Sequence, residues 1–343
     1  MDWLNCTPYD EILFWGKSSQ ELCSVHLGRS CGPFVGGHPG TVADSFRNSN
    51  QYFDLTDWRR LFGYAAVLEE EKRGDGSMRL EVRGLRICLQ KTEILRDVSF
   101  CCGPGLTAVL GVNGAGKTTL LKSLAGICPL SQGEIWLEDG KSLALHEMSA
   151  GRRARYLSYV PQESRTGLHC PVREFVVMGR NPYLNWLDTP RKSDYQKADE
   201  AMESLLIRHL SEAYFDEISG GERRLAYLAR ARVQEARWMV LDEPLANLDF
   251  GRQHRFLVRL NRYLRTEGTG AILSVHDPLL AYEYAEQILV LKEGKLAASL
   301  SKKDWDFEKT YLSWLRQLYG MDGRVYETPE GKTIVWRRQD AKN

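Results

Sequence analysis

The residues with the clearest chemical purpose lie at 109–126, VLGVNGAGKTTLLKSLAG. Gly111, Gly116, Lys117 and Thr118 satisfy the spacing G-x-x-x-x-G-K-[S/T], with Asn113 and Gly114 inside the turn and Thr119 just beyond it. The apolar LTAVL leads in and the amphipathic TTLLKSLAG leads out, so the pattern reads strand, turn, helix. In that context the backbone N–H groups of the turn and of the helix start converge, and glycine lets the chain approach an anion closely. Lys117 adds positive charge for β- and γ-phosphates, and the Thr118 hydroxyl is placed for Mg2+. The chemistry indicated is the holding of a nucleotide's phosphates.

A site of this kind also needs a carboxylate for the metal and a base for water. RWMVLDEP supplies both: an apolar run, Trp238 to Leu241, carries Asp242 and Glu243 to the end of a strand. Strand ends of such sheets are where ligands bind. Asp242 is placed to hold the metal, and Glu243, one residue on, to act as general base toward a water in line with the γ-phosphate.

These residues must be positioned by an α/β framework. From MRLEVRGLRI onward, short apolar runs (LTAVLGV, RYLSYV, WMVLDEP, GAILSVHD, QILVLKEGKLAASL) alternate with helical segments near 196–210 and 222–234, the rhythm of a parallel sheet covered by helices. The tail after about residue 301 holds one helix, FEKTYLSWLRQLYG, and two alternating runs around Pro-Glu-Gly that read as a hairpin. The chain has 343 residues and a net charge of +1, which argues against a nucleic-acid partner. It has no apolar run of membrane-spanning length. Its N-terminus begins acidic and lacks the pattern of a secretory signal, so the eight cysteines read as reduced thiols. Cys101 and Cys102 are neighbours on a strand and point to opposite faces, which makes them packing residues.

ISGGERR, Ile218 to Arg224, resembles the signature motif of ATP-binding-cassette (ABC) ATPases and lies some twenty residues before the Asp-Glu strand, as in that family. Ser219, Gly220 and Gly221 precede a helix, which exposes backbone amides suited to phosphate. Gln162 in YVPQES resembles the Q-loop glutamine that touches Mg2+ and the attacking water. Asp249 in LANLD resembles the D-loop aspartate, and His276 in LSVHD the switch histidine that contacts the γ-phosphate. The resemblance covers roughly residues 78–300. It implies a P-loop NTPase core with a parallel sheet, an antiparallel β subdomain, and an inserted α-helical subdomain at about 164–218. It further implies a head-to-tail homodimer in which Ser219 and Gly221 of one chain complete the ATP site of the other. Three positions depart from the common pattern. Leu89 stands where an aromatic residue stacks on adenine, Leu225 where an arginine is frequent, and Leu245 and Ala246 where Thr and Ser are common. None touches the phosphate chemistry, so an active ATPase is expected.

The segment VREFVVMGRNPYLNW resembles the corresponding stretch in ATPases that serve importers of iron–siderophore complexes, haem and cobalamin, and the tail LRQLYGMDGRVYETPEGKTIVW resembles theirs. Val172, Phe175, Val176 and Met178 form an apolar helix face, Gly179 ends the helix, and Pro182 with Tyr183 makes a rigid knob; the surface suits a permease groove, and the apolar stripe equally fits the subdomain's own core. The resemblance implies transmembrane permease subunits as partners, a substrate-binding protein indirectly, and a peripheral place on the cytoplasmic face of the membrane. Two other readings stand beside it: an ABC ATPase for a metal ion or an exported compound, and a non-transport ABC protein. The last is disfavoured by the single cassette and the near-neutral charge.

Residues 1–77 have no counterpart in the family and end in the charged LEEEKRGDGS. A flexible appendage, a small module packed on the cassette and a start placed too far upstream all fit. Cys23, His26, Cys31 and His38 set out an imaginable zinc site, against which stands the common scatter of Cys and His in loops. Deletion of residues 1–77 is expected to leave ATP turnover largely intact; a truncated protein that purifies folded but inert would overturn this.

Overall fold

The unbroken apolar runs become the strands of a sheet buried on both faces. The structure, a computed structural model, describes residues 11–15, 22–26, 78–162, 168–185, 187–246, 248–329 and 331–337. It divides into two units, Met1–Arg73 and Gly74–Asn343. In the first, β1 (Glu11–Trp15) pairs antiparallel with β2 (Leu22–His26), with Glu11 opposite His26. The weak periodicity of this region did not point to the hairpin. The zinc candidates Cys23, His26, Cys31 and His38 lie outside the residues whose side chains are described.

The second unit runs β3 (Arg79–Leu89), β4 (Thr92–Cys102), β5 (Gly105–Leu110), α1 (Lys117–Leu124), β6 (Gln132–Glu138), β7 (Ser142–Ala144), α2 (Ala150–Arg153) and β8 (Leu157–Val160). It continues with α3 (Val172–Val177), α4 (Lys192–Ser204), α5 (Gly220–Val233), β9 (Trp238–Leu241), α6 (Phe250–Glu267), β10 (Gly270–Ser274) and α7 (Pro278–Tyr284). β11 (Gln287–Lys292), β12 (Lys295–Ser301), α8 (Phe307–Tyr319), β13 (Gly323–Thr328) and β14 (Gly331–Trp336) complete it.

The main sheet has the order β12-β11-β5-β10-β9-β8, parallel except for the antiparallel edge strand β12. Its side chains divide strictly between two cores. Leu106, Ala108 and Leu110 of β5 join one and Val109 the other; Met239 and Leu241 of β9 oppose Trp238 and Val240; Ile288 and Val290 of β11 oppose Leu289 and Leu291. Because both faces are covered, alternation exists in space without appearing in the sequence. α3 to α8 contribute to the first core, while α1 and the antiparallel sheet β4-β3-β6-β7 contribute to the second. The tail forms α8 and the β13–β14 hairpin, with Thr328 opposite Gly331.

The segment before the signature differs in detail from expectation. Val172, Phe175 and Val176 are not an exposed stripe: they are buried, and Phe175 stacks on Phe215 at 4.0 Å. Met178, Tyr183 and Leu187 are exposed between α3 and α4, and Leu168, Leu206 and Tyr214 elsewhere in the segment. Gly179 does not end α3, which stops at Val177 and passes into a 3-10 turn over Met178–Tyr183. Gly179 is required instead for packing, since a Cβ there would collide with the Arg230 carbonyl of α5. α4 ends at Ser204 and does not run on to 210, because Leu206 adopts the left-handed conformation (φ 60°) that breaks a helix.

Arg180, in that turn, is buried and binds Asp194 (Nε–Oδ1, 3.0 Å), Glu235 (Nη1–Oε2, 2.8 Å) and the Val233 carbonyl (3.0 Å), and stacks on Tyr183. The Arg191 backbone N–H, and then the Arg180 guanidinium, hold the Asp194 carboxyl below the usual carboxylate range. A depressed folded-state pKa means stabilisation that is present above the unfolded value and lost as pH falls through the folded one. Asp194→Ala is expected to cost about 1–3 kcal/mol at pH 7. In urea unfolding, the gap to the parent protein should narrow below about pH 4.

Candidate functional site

The phosphate turn joins β5 to α1, where the sheet ends and the helix begins. Gly111 has no room for a side chain, because a Cβ would collide with the Leu291 carbonyl of the neighbouring strand. Gly116 takes φ 100°, and its Cβ would come 2.8 Å from Leu95 Cδ2. Asn113 and Gly114 lie exposed at the tip, and Thr119 is half-buried within α1. The helix starts without a side-chain cap or an acidic residue in its first turn, so its leading amides remain for an anion. Lys117 is buried and folds back over the turn, its Nζ donating to the carbonyls of Gly111 (2.7 Å) and Val112 (3.2 Å). Burial lowers its pKa, while Glu243 and Asp242 pull it upward.

Beside the turn, β9 delivers its two carboxylates to different surroundings. Asp242 is 0% exposed; its Oδ1 accepts from Thr118 Oγ1 (3.0 Å) and Ser274 Oγ (3.1 Å), and its Oδ2 lies 3.4 Å from the Tyr159 hydroxyl. Burial, and then the Asp242 charge, push the Tyr159 phenol up, so it stays a donor. Glu243 sits at the rim in the left-handed region, φ 45°, a conformation that costs a non-glycine residue about 1–3 kcal/mol. Its N–H donates to Ser274 Oγ at 2.7 Å. The Glu243 carboxylate is gripped on both sides: Gln162 Nε2 donates to Oε2 at 2.7 Å, and His276 Nε2 lies 2.7 Å from Oε1. Lys117, Thr118, Gln162, Asp242, Glu243 and His276, scattered over 160 positions of sequence, thus meet at the ends of adjacent strands.

The other candidates do not join them. Ser219 caps α5 in a reciprocal pair with Glu222: its Oγ donates to Glu222 Oε2 (2.6 Å), its N–H donates to the same oxygen (2.8 Å), and Glu222 N–H donates back to Oγ (3.3 Å). Those Ser219 hydrogen bonds hold the Glu222 carboxyl below its usual range. Gly220 is open to solvent, whereas a Cβ on Gly221 would come 2.8 Å from Arg252 Nη1. Asp249 caps α6 through Arg252 N–H (2.9 Å) and pairs with Arg252 Nε (3.1 Å). Among the described residues no hydrogen bond or ion pair links Ser219, Gly220, Gly221 or Asp249 to the phosphate turn or to Asp242 and Glu243. Leu89 is exposed at the end of β3, with no ring to offer a base.

Comparison with known proteins agrees with this geometry. The ABC transporter family model matches residues 95–246. The chain is 35% identical over 273 residues to a hemin import ATP-binding protein of Rhodococcus jostii, across 79% of this chain and 90% of that protein. This chain belongs to the ABC transporter ATP-binding family. It is also 31% identical over 227 residues to a ferric enterobactin transport ATP-binding protein of Escherichia coli K12, across 66% of this chain and 81% of that protein. Among solved structures it is similar to a putative metal-chelate type ABC transporter in an inward-facing conformation, with 26% identity and a TM-score of 0.64 over 76% of this chain and 98% of that one. As an ABC transporter ATPase, the chain binds and hydrolyses ATP.

Sequence reasoning missed Ser274 and Tyr159. The signal for Ser274 was a hydroxyl inside the apolar strand GAILS, where a buried polar side chain must find partners. Ser274 bridges the two carboxylate residues, so Ser274→Ala is expected to lower kcat about tenfold, one lost hydrogen bond's worth. Nucleotide affinity, measured by fluorescence titration, should stay within about threefold, since the hydrogen bonds of the Ser274 hydroxyl go to Asp242 and Glu243 and not to the phosphate turn.

Proposed function

We propose that this ABC ATPase drives import of a bulky metal chelate: haem, a ferric siderophore or a corrinoid. The observation that carries the hydrolytic assignment is the convergence of Gln162 and His276 on the two oxygens of Glu243, one residue beyond the Asp242–Thr118 pair. The names of the hemin and enterobactin relatives support the cargo class.

In this reading the turn at Gly111, Asn113, Gly114 and Gly116, with the amides of Lys117, Thr118 and Thr119, receives the phosphates. Lys117 exchanges its bonds to the Gly111 and Val112 carbonyls for bonds to phosphate oxygens. The Thr118 hydroxyl and the Asp242 carboxylate, with the Gln162 amide oxygen, make an all-oxygen donor set that fits a hard cation such as Mg2+. When bound, that cation neutralises charge developing on the β- and γ-phosphate oxygens. Glu243 is the base that takes a proton from water. Gln162 and His276 each take one side of an oxygen; a γ-phosphate that draws His276 away, or a water that claims Gln162, leaves an oxygen more open to the task.

Ser219 and Gly221 act in trans, in a head-to-tail homodimer, and Asp249 lines the same interface. Their separation from the phosphate turn within one chain supports this. The exposed Met178, Tyr183 and Leu187 form the face offered to transmembrane permease subunits. No helix among the described residues is long and apolar enough to cross a membrane. In this reading its permease holds the chain at the cytoplasmic face, with a substrate-binding protein engaged only indirectly and no nucleic acid.

Glu243→Gln keeps the shape and removes the base. It is expected to lower turnover at least about a hundredfold while leaving ATP bound. Size-exclusion chromatography with light scattering should then show a dimer only with ATP and Mg2+. Lys117→Ala should show no nucleotide-dependent shift. Wild-type turnover in Glu243→Gln would remove the base assignment.

A further inference from the structure

Arg224 lies five residues beyond Ser219, in the helix that the signature turn begins. A charged side chain so near a helix start would ordinarily point to water, but Arg224 is 8% exposed. Its Nη1 donates to the Pro161 carbonyl at 3.0 Å, and among the described residues that carbonyl is its only hydrogen-bond acceptor. Pro161 immediately precedes Gln162, whose amide grips Glu243. Burial pulls the guanidinium's pKa down, while Tyr227, Glu243 and Asp242 pull it up, so both site carboxylates lie within its electrostatic reach. An arginine does not lose its proton in a protein, so a full positive charge is buried here.

A buried cation with one acceptor among the described residues is a poor way to stabilise a helix, and an apolar residue of similar size would serve packing better. The neighbouring position shows the contrast. Leu225 faces elsewhere, into a pocket shared with Leu248, Phe256 and Arg259 on the α6 side. An arginine at 225 would therefore point toward α6, whereas the arginine at 224, about 100° around the helix, points toward Pro161.

We infer that Arg224 is a positioning residue that fixes Pro161, and through it the reach of Gln162 to Glu243, so that the signature helix is tied to the catalytic carboxylate of its own chain. The connection has two hydrogen bonds and one peptide link: α5 to Pro161, Pro161 to Gln162, Gln162 to Glu243. A shift of α5 toward a partner's nucleotide is thereby felt at the base. The inference rests on the hydrolytic reading of Gln162 and Glu243 given above.

The test is a double-mutant cycle on the full chain, with ATP turnover, fluorescent-nucleotide affinity and thermal melting measured for each protein. Arg224→Gln is expected to lower kcat about fivefold to tenfold and to leave nucleotide affinity within about twofold. Combined with Gln162→Ala, it should lower kcat by less than about twofold beyond Gln162→Ala alone, because both act through one path. Arg224→Lys keeps the charge and a donor and should recover part of the loss. Adding Leu225→Arg to Arg224→Gln should recover nothing, since that side chain faces α6. Independent, multiplicative losses in the cycle, restoration by Leu225→Arg, or a loss carried wholly by nucleotide affinity would each overturn the inference. Should Arg224→Gln fail to fold, the cycle of Arg224→Lys with Gln162→Ala decides by the same criterion. Glu243→Gln run in parallel separates the two failures: wild-type turnover there sinks the hydrolytic reading, whereas inactivity there with an additive cycle sinks only the role of Arg224.

Discussion

A carboxylate with no solvent access must be surrounded by donors, and Asp242 sets that requirement at the centre of this molecule. Its partners come from three other elements: Thr118 from α1, Ser274 from β10 and Tyr159 from β8. They meet only if β8, β9 and β10 are adjacent, parallel and in register, as they are, with Tyr159 opposite Val240 and Leu273 opposite Leu241. The apolar residues that bury both faces of the sheet therefore do more than stabilise it. They hold the strands in one register, so that Ser274 and Asp242 follow the paired Leu273 and Leu241 directly, while Tyr159 reaches Asp242 from beside Val240, one step back along β8.

Glu243 shows the complementary arrangement. It follows Asp242 directly, yet the left-handed backbone at φ 45° turns it out of the strand and onto the rim. Ser274 holds the backbone of Glu243 and the side chain of Asp242 together, so one hydroxyl fixes the positions of two successive acidic residues. The hydrogen bond to Ser274 holds the strained backbone and leaves the carboxylate oxygens to Gln162 and His276.

The phosphate turn, the Asp-Glu pair and the sheet were legible in the sequence because each is coded locally: glycines at fixed spacing, a lysine at a helix start, an apolar run ending in acids. The inserted helices were legible only in outline. Gly179 looked like a helix stop but is a close approach to Arg230, and the apolar pattern of Val172, Phe175 and Val176 fitted a docking stripe and a core alike, of which burial selects the core. Arg180 escaped notice because its partners, Asp194, Val233 and Glu235, lie 14 to 55 residues away. Ser274 and Arg224 were hidden for the same reason. A residue that acts by touching a distant segment leaves no periodicity behind.

The reciprocal cap between Ser219 and Glu222 sets a threshold on assembly in the proposed dimer. In the resting chain the Ser219 hydroxyl is already spoken for by a carboxylate, which also presents negative charge to any approaching phosphate. A partner's nucleotide must displace an internal bond before it gains an external one.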